Sequence, residues 1–91
     1  MKWLEDYVDE FKAKLNLPSD YAVAKELNVG RQAISKLRTG SVSIGKEKYL
    51  RIAQALKIDP LQVIATAEAQ KTKNPELKAQ WIRLAKEKGN N

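Results

Sequence analysis

The segment from Asp20 to Gly40 constrains the fold of this chain more than any other part of the sequence. Its small and apolar side chains recur at the spacing of two short helices joined by a turn. They are Ala24, Leu27, Val29, Ile34 and Leu37. Ala24 has almost no side chain, so a second helix can pack steeply across the first. Asn28 tolerates the left-handed backbone of a helix C-terminus, and Gly30 is an acceptable N-cap. The segment predicts helices over about 20–27 and 31–38, held at a fixed angle.

The outward side of the second of these helices is polar and carries no acid. Its side chains are Arg31, Gln32, Ser35, Lys36 and Arg38. Arg and Lys bind guanine in the major groove of DNA, and Gln pairs with adenine. A helix-turn-helix requires two helices held at a fixed angle by buried side chains, with hydrogen-bonding groups on the outward side of the second helix. This segment has both.

The segment resembles the helix-turn-helix of the Cro/CI-type family, also called lambda-repressor-like or XRE-like. The matching residues are Ala24, Leu27-Asn28-Val29, Ile34, Leu37, Thr39-Gly40 and the stretch from Tyr49 to Pro60. That last stretch is similar to the family's fourth helix and its turn into the fifth. Asn28 stands where the family usually has Gly, and Arg31 where it often has Gln. Arg31 in place of Gln affects which base sequence the helix would bind, but not the expected binding of this helix to DNA bases.

The resemblance implies two groups of DNA contacts. It favours Arg31, Gln32 and Ser35 for bases, and Lys36 can reach a guanine or a phosphate; the approach angle decides which of the four touch bases. The residues that it favours for phosphates are Arg38, Thr39, Ser41, Ser43 and Lys46. Backbone N–H groups near Ser19 to Tyr21, at a helix N-terminus, can hold a further phosphate.

The charge distribution agrees with a DNA-binding surface. Of the net charge of +6, residues 30–57 hold seven Lys and Arg side chains against one acid, whereas residues 1–29 have a net charge of −2. Such a concentration attracts phosphates, although a merely soluble basic surface is the alternative.

Composition argues against an enzyme. The chain has no His and no Cys, which removes the commonest general base and thiol chemistry. The four acids Glu5, Asp6, Asp9 and Glu10 are typical of a solvated helix face rather than a metal site. We therefore expect no cofactor and no metal. Because no stretch approaches a membrane span and no signal peptide opens the chain, the expected compartment is the cytoplasm.

The rest of the chain predicts an all-α fold: a five-helix DNA-binding domain over residues 1–70, followed by a connector and an extra C-terminal helix over 71–91. Helix 1 is expected over about 2–15, and helix 4 from Lys46 with Tyr49 or Leu50 facing inward. Asp59-Pro60 and Asn74-Pro75 are cap-then-Pro signals that open the fifth and sixth helices. Leu61, Ile64 and Ala65 of the fifth helix are expected to face inward.

The C-terminal helix has an apolar stripe of Leu77, Trp81 and Leu84. Four roles remain open for it: packing on its own domain, forming a dimer interface, docking a foreign protein partner, or lying on a membrane surface. Dimer contacts are expected from this stripe or from Leu61, Val63 and Ile64 of the fifth helix.

The function predicted from these features is sequence-specific regulation of transcription. We expect a homodimer that binds a palindromic operator in double-stranded DNA and represses by occupancy, because little of the chain is left for an inducer domain. Small, basic, single-domain members of the family resemble regulators of phages and other mobile elements, so the resemblance implies such an origin. The alternatives are the DNA-binding antitoxin of a toxin–antitoxin pair, with a tail wrapped around the toxin, and a protein-interaction module that binds no DNA.

Overall fold

Six α-helices make up the part of the chain that the computed structural model describes, residues 2–40 and 44–89. They are α1 (Leu4–Lys14), α2 (Asp20–Leu27), α3 (Arg31–Arg38), α4 (Lys46–Leu56), α5 (Pro60–Lys71) and α6 (Pro75–Gly89). Those two ranges contain no strand. The predicted all-α class, with an extra C-terminal helix, is confirmed.

Short polar side chains begin three of the helices as the sequence predicts. The Ser19 Oγ accepts a hydrogen bond from the Ala22 N–H at 3.1 Å, at the start of α2. Asp59 Oδ1 accepts from the Leu61 N–H at 2.9 Å before α5. Asn74 Oδ1 accepts from the Glu76 N–H at 2.9 Å before α6. Each cap satisfies a backbone donor that has no partner within its helix.

The hydrophobic core lies where α1 packs against α2, α3, α4 and α5. One face of α1 is wholly buried in it through Leu4, Tyr7, Val8 and Phe11. Its other buried members are Val23, Ala24, Leu27, Ile34, Leu37, Tyr49, Ile52, Ala53, Val63 and Ala67. This arrangement fixes α2 and α3 on one side of a single core.

The burial of individual side chains shows which residues of α4 and α5 face the core. On α4 it is Tyr49 that is buried, while Leu50 is exposed. On α5 the expectation for Leu61 is wrong, because its side chain is 43% exposed. Val63 is fully buried in the core, and a residue two positions away points about 200° around a helix. Ile64 is half-buried against the core, as expected.

The last two helices form an antiparallel hairpin joined by residues 72–74. Ala65 and Ala69 of α5 and Ala85 of α6 are buried, and such small side chains let two helices approach closely. At the far end, a Cβ added to Gly89 would lie 3.0 Å from the Gln62 Cδ. The extra C-terminal helix therefore packs on α5 along its length.

Candidate nucleic-acid interface

The crossing of α2 and α3 depends on small and apolar side chains at their contact. Ala24 and Leu27 of α2 and Ile34 and Leu37 of α3 are all buried. Asn28 follows α2 with φ of 57° and ψ of 48°, which is the left-handed conformation expected of it. This turn directs the chain into α3 and leaves the opposite side of α3 facing solvent.

Four polar side chains occupy the solvent side of α3. Arg31, Gln32, Ser35 and Lys36 are all exposed, and their spacing places them within about 140° around the helix. Within residues 2–40 and 44–89, neither Arg31 nor Lys36 forms an ion pair with an acid. The residues predicted to read bases thus form one outward group with two uncompensated cations.

Tyr21 of α2 contacts the first residue of α3. The Arg31 guanidinium carbon lies 5.8 Å from the centre of the Tyr21 ring. The Lys25 Nζ lies 5.3 Å from the same centre. Both distances are in the range of cation–π attraction. The ring is 53% exposed, so it holds Arg31 at the edge of the polar surface without burying it. Sequence reasoning missed this role of the Tyr21 side chain.

Arg38, at the last position of α3, is held in ion pairs with acids of α1 and α2. Its Nε and one terminal nitrogen each donate to an Asp20 carboxylate oxygen at 2.9 Å. Its side chain is only 22% exposed and also pairs with Asp9 of α1 at 2.7 Å. Asp20 additionally accepts from the Lys12 Nζ at 3.3 Å. The guanidinium predicted to bind a phosphate is therefore engaged by two carboxylates.

This ion-pair network shifts the pKa values of Asp20 and Arg38. Hydrogen bonds from Arg38 and Lys12 favour the charged carboxylate and lower the pKa of Asp20 below its ordinary value, although burial opposes the shift. The same hydrogen bond to Asp20 raises the pKa of Arg38. The network joins α1, α2 and α3 through ion pairs centred on Asp20 and Arg38.

The remaining predicted phosphate contacts lie around the ends of the helices. Ser19 caps α2, and Tyr21 lies in its first turn. The Thr39 hydroxyl donates to the Lys36 carbonyl at 2.8 Å. Lys46 is exposed at the first position of α4. Ser41 and Ser43 lie outside the described residues.

Comparison with protein-family models gives a match over residues 12–63, more than half of the chain, to the family described as helix-turn-helix. The chain belongs to the Cro/CI-type helix-turn-helix family. Searches of curated proteins and of solved structures gave no match.

Membership in the Cro/CI-type family makes the chain a DNA-binding regulator in general terms. The matched residues contain all of α2, α3 and α4, and they end within α5. The whole of α6 lies outside the match. In the described portion, no helix is long and apolar enough to span a bilayer.

Proposed function

We propose that this Cro/CI-type protein reads bases in the major groove with α3, which we call the recognition helix. The observation that carries the proposal is the outward group of Arg31, Gln32, Ser35 and Lys36. Arg31 and Lys36 suit guanine, and Gln32 suits adenine, because each offers the hydrogen-bond pattern that complements that base. Ser35 can donate or accept a hydrogen bond. Arg38 is left out of this interface because Asp20 and Asp9 already hold it.

A homodimer follows from the small reach of one recognition helix. The eight residues of α3 span about 12 Å, which covers only a few base pairs. Two copies related by a two-fold axis reach half-sites about 34 Å apart, and this multiplies both affinity and selectivity. We therefore propose a palindromic operator.

The proposed consequence of binding is repression by occupancy of the operator, as in regulators of phages and mobile elements. The antitoxin alternative required a tail that wraps around a foreign toxin. The packing of α6 along α5 favours the repressor over the antitoxin, because α6 already packs against a helix of its own chain.

The test is selection of duplexes from a randomised DNA pool, followed by footprinting across a salt series. We expect the native protein to enrich a palindrome with two half-sites. Replacing Arg31 and Gln32 together by Ala should reduce affinity for that palindrome more than a hundredfold, because about 1–3 kcal/mol of discrimination is lost for each base pair read. Weak binding to all sequences should remain.

The matched control is a variant with Lys78→Ala and Gln54→Ala, which removes the same charge and amide from exposed positions on α6 and α4. It should keep the footprint of the native protein. Enrichment of no common sequence, or equal binding by the native protein and the Arg31/Gln32 variant, would overturn base reading by this helix.

A further inference from the structure

The α6 helix leaves an apolar face open beside its contact with α5. Leu77 is 47% exposed, and Trp81 and Leu84 are half-buried. Together with Gln80 they line a shallow groove of about 280 Å³. Ala85 is buried, and it lies about 80° around the helix from Leu77. The groove is therefore adjacent to the α5 contact and is not covered by it.

Two opposite charges flank this groove on the side away from α5. Glu76 and Arg83 are both exposed. They are seven residues apart, so they lie within about 20° of each other around the helix. Both stand about 100° from Leu77, in the direction opposite to Ala85. Glu87 is exposed on the same edge, one turn after Arg83. The edge of the groove thus carries an acid near its start, a base near its end and a second acid beyond that base.

The order of these charges fits a second α6 that runs in the opposite direction. If a two-fold axis passes close to Gln80, Leu77 faces Leu84 of the second copy. Glu76 then faces Arg83 of the second copy, and the same pair recurs on the other side of the axis. A parallel arrangement would place the edge that carries Glu76 and Arg83 against the opposite edge of the second helix, beside α5, and neither residue would face the other. The face is thus complementary to itself in one orientation, as an interface between identical copies requires.

We propose that α6 packs antiparallel against α6 of a second copy of this chain and that the two α5–α6 hairpins form a four-helix bundle. Leu77, Trp81 and Leu84 supply its apolar contact, and the two Glu76–Arg83 pairs fix its direction. The proposal rests on the homodimer of the proposed function and names its surface. Because it is measured without DNA, its failure leaves base reading by α3 untouched.

Analytical ultracentrifugation of the whole chain over a range of concentrations tests the interface. We expect the native protein to dimerise and Leu77→Gln to weaken the dimer. Glu76→Arg and Arg83→Glu should each weaken it at least tenfold, because like charges then meet twice. An equimolar mixture of these two variants should form a heterodimer, and the double variant E76R/R83E should recover the homodimer.

The control is Lys86→Glu, a charge reversal on another side of α6, which should leave the dimer intact. Circular dichroism and thermal melting establish that each variant is folded. A native protein that stays monomeric would overturn the proposal. So would weakened single variants whose mixture does not recover association, since complementary charges would then not be what joins the copies.

Discussion

Arg38 is the side chain that most directly ties the recognition helix to the rest of the molecule. It joins Asp20 of α2 and Asp9 of α1, so three helices meet at one guanidinium. The resemblance to the family favours a phosphate contact for this residue. Which acid lies beside it depends on how α1 packs, and local spacing does not contain that information.

Replacing Asp20 by Asn should reduce the free energy of unfolding by about 1 kcal/mol near pH 7, a value discounted for the partial exposure of the pair. Because the pKa of Asp20 is lowered in the folded protein, the carboxylate stabilises the fold above its unfolded pKa of about 3.9. This contribution is lost as the pH falls through the lower pKa of the folded state. The difference in the free energy of unfolding between the native protein and the variant should thus be constant from pH 5 to 8 and decrease below about pH 4.

Urea unfolding at a series of pH values measures this difference. Glu47→Gln serves as the control, since it removes an exposed acid from α4 and should change the stability little. A difference between native and D20N that persists unchanged at the lowest pH would show that the charge of Asp20 is not what stabilises α3.

At the scale of the helices, α1, α2 and α4 end in the same way. In each, a residue with positive φ comes after the last turn: Asn16, Asn28 and Lys57. The next residue is apolar and packs against the core; these residues are Leu17, Val29 and Ile58. Its N–H donates to a carbonyl five residues earlier, as from Val29 to Ala24 at 2.9 Å. This is the Schellman arrangement of a helix C-terminus.

The sequence predicted only part of this pattern. The left-handed backbone of Asn28 is predictable, because Asn tolerates this conformation and the helix-turn-helix spacing places a turn there. Lys57 has no such propensity, and the packing of Ile58 imposes its conformation. The exposure of the Leu61 side chain is not predictable in this way, because periodicity shows that a helix has an apolar side but not which neighbour covers it. Caps were predictable since they depend on side chains within three residues.

Replacing Lys57 by Gly should stabilise the protein by about 0.5–1 kcal/mol. A left-handed backbone costs a residue with a Cβ roughly 1–2 kcal/mol, and the greater freedom of Gly in the unfolded chain offsets part of the gain. For a chain of this size, the thermal midpoint should rise by several degrees. Thermal unfolding followed by circular dichroism measures the shift.

Lys57→Ala is the matched control, because it removes the same charged side chain but keeps the Cβ. We expect it to give no comparable gain. Equal stabilisation by Ala and Gly would instead assign the effect to the loss of positive charge.

At the scale of the whole molecule, some basic side chains form ion pairs with acids and others have no acidic partner among the described residues. Arg38 and Lys12 neutralise acids of α1 and α2, and Arg51 pairs with Glu26 at 2.6 Å. Arg31 and Lys36 remain without an acidic partner in the described part of the chain, on the side of α3 that faces solvent. The sequence showed where basic residues concentrate, but only the packed helices show which of them are left to attract phosphates.

The proposed contact of Lys46 with a phosphate should appear in the salt dependence of DNA binding. Each phosphate neutralised contributes a slope of about −0.9 to the logarithm of affinity against the logarithm of salt concentration. Lys46→Ala removes one such contact from each protomer, so the slope of a dimer should become shallower by about 2. Affinity should fall by a similar factor for operator and unrelated DNA, because a phosphate contact carries no sequence information.

Lys78→Ala is the control for this measurement, since it removes the same charge from an exposed position on α6, and it should leave the slope unchanged. Equal slopes for the native protein and Lys46→Ala would remove Lys46 from the interface. A loss confined to the operator would indicate base reading by this residue. The intermediate result, a change of about 1, would mean that only one protomer of the dimer places Lys46 on a phosphate, because a symmetric complex must lose two contacts.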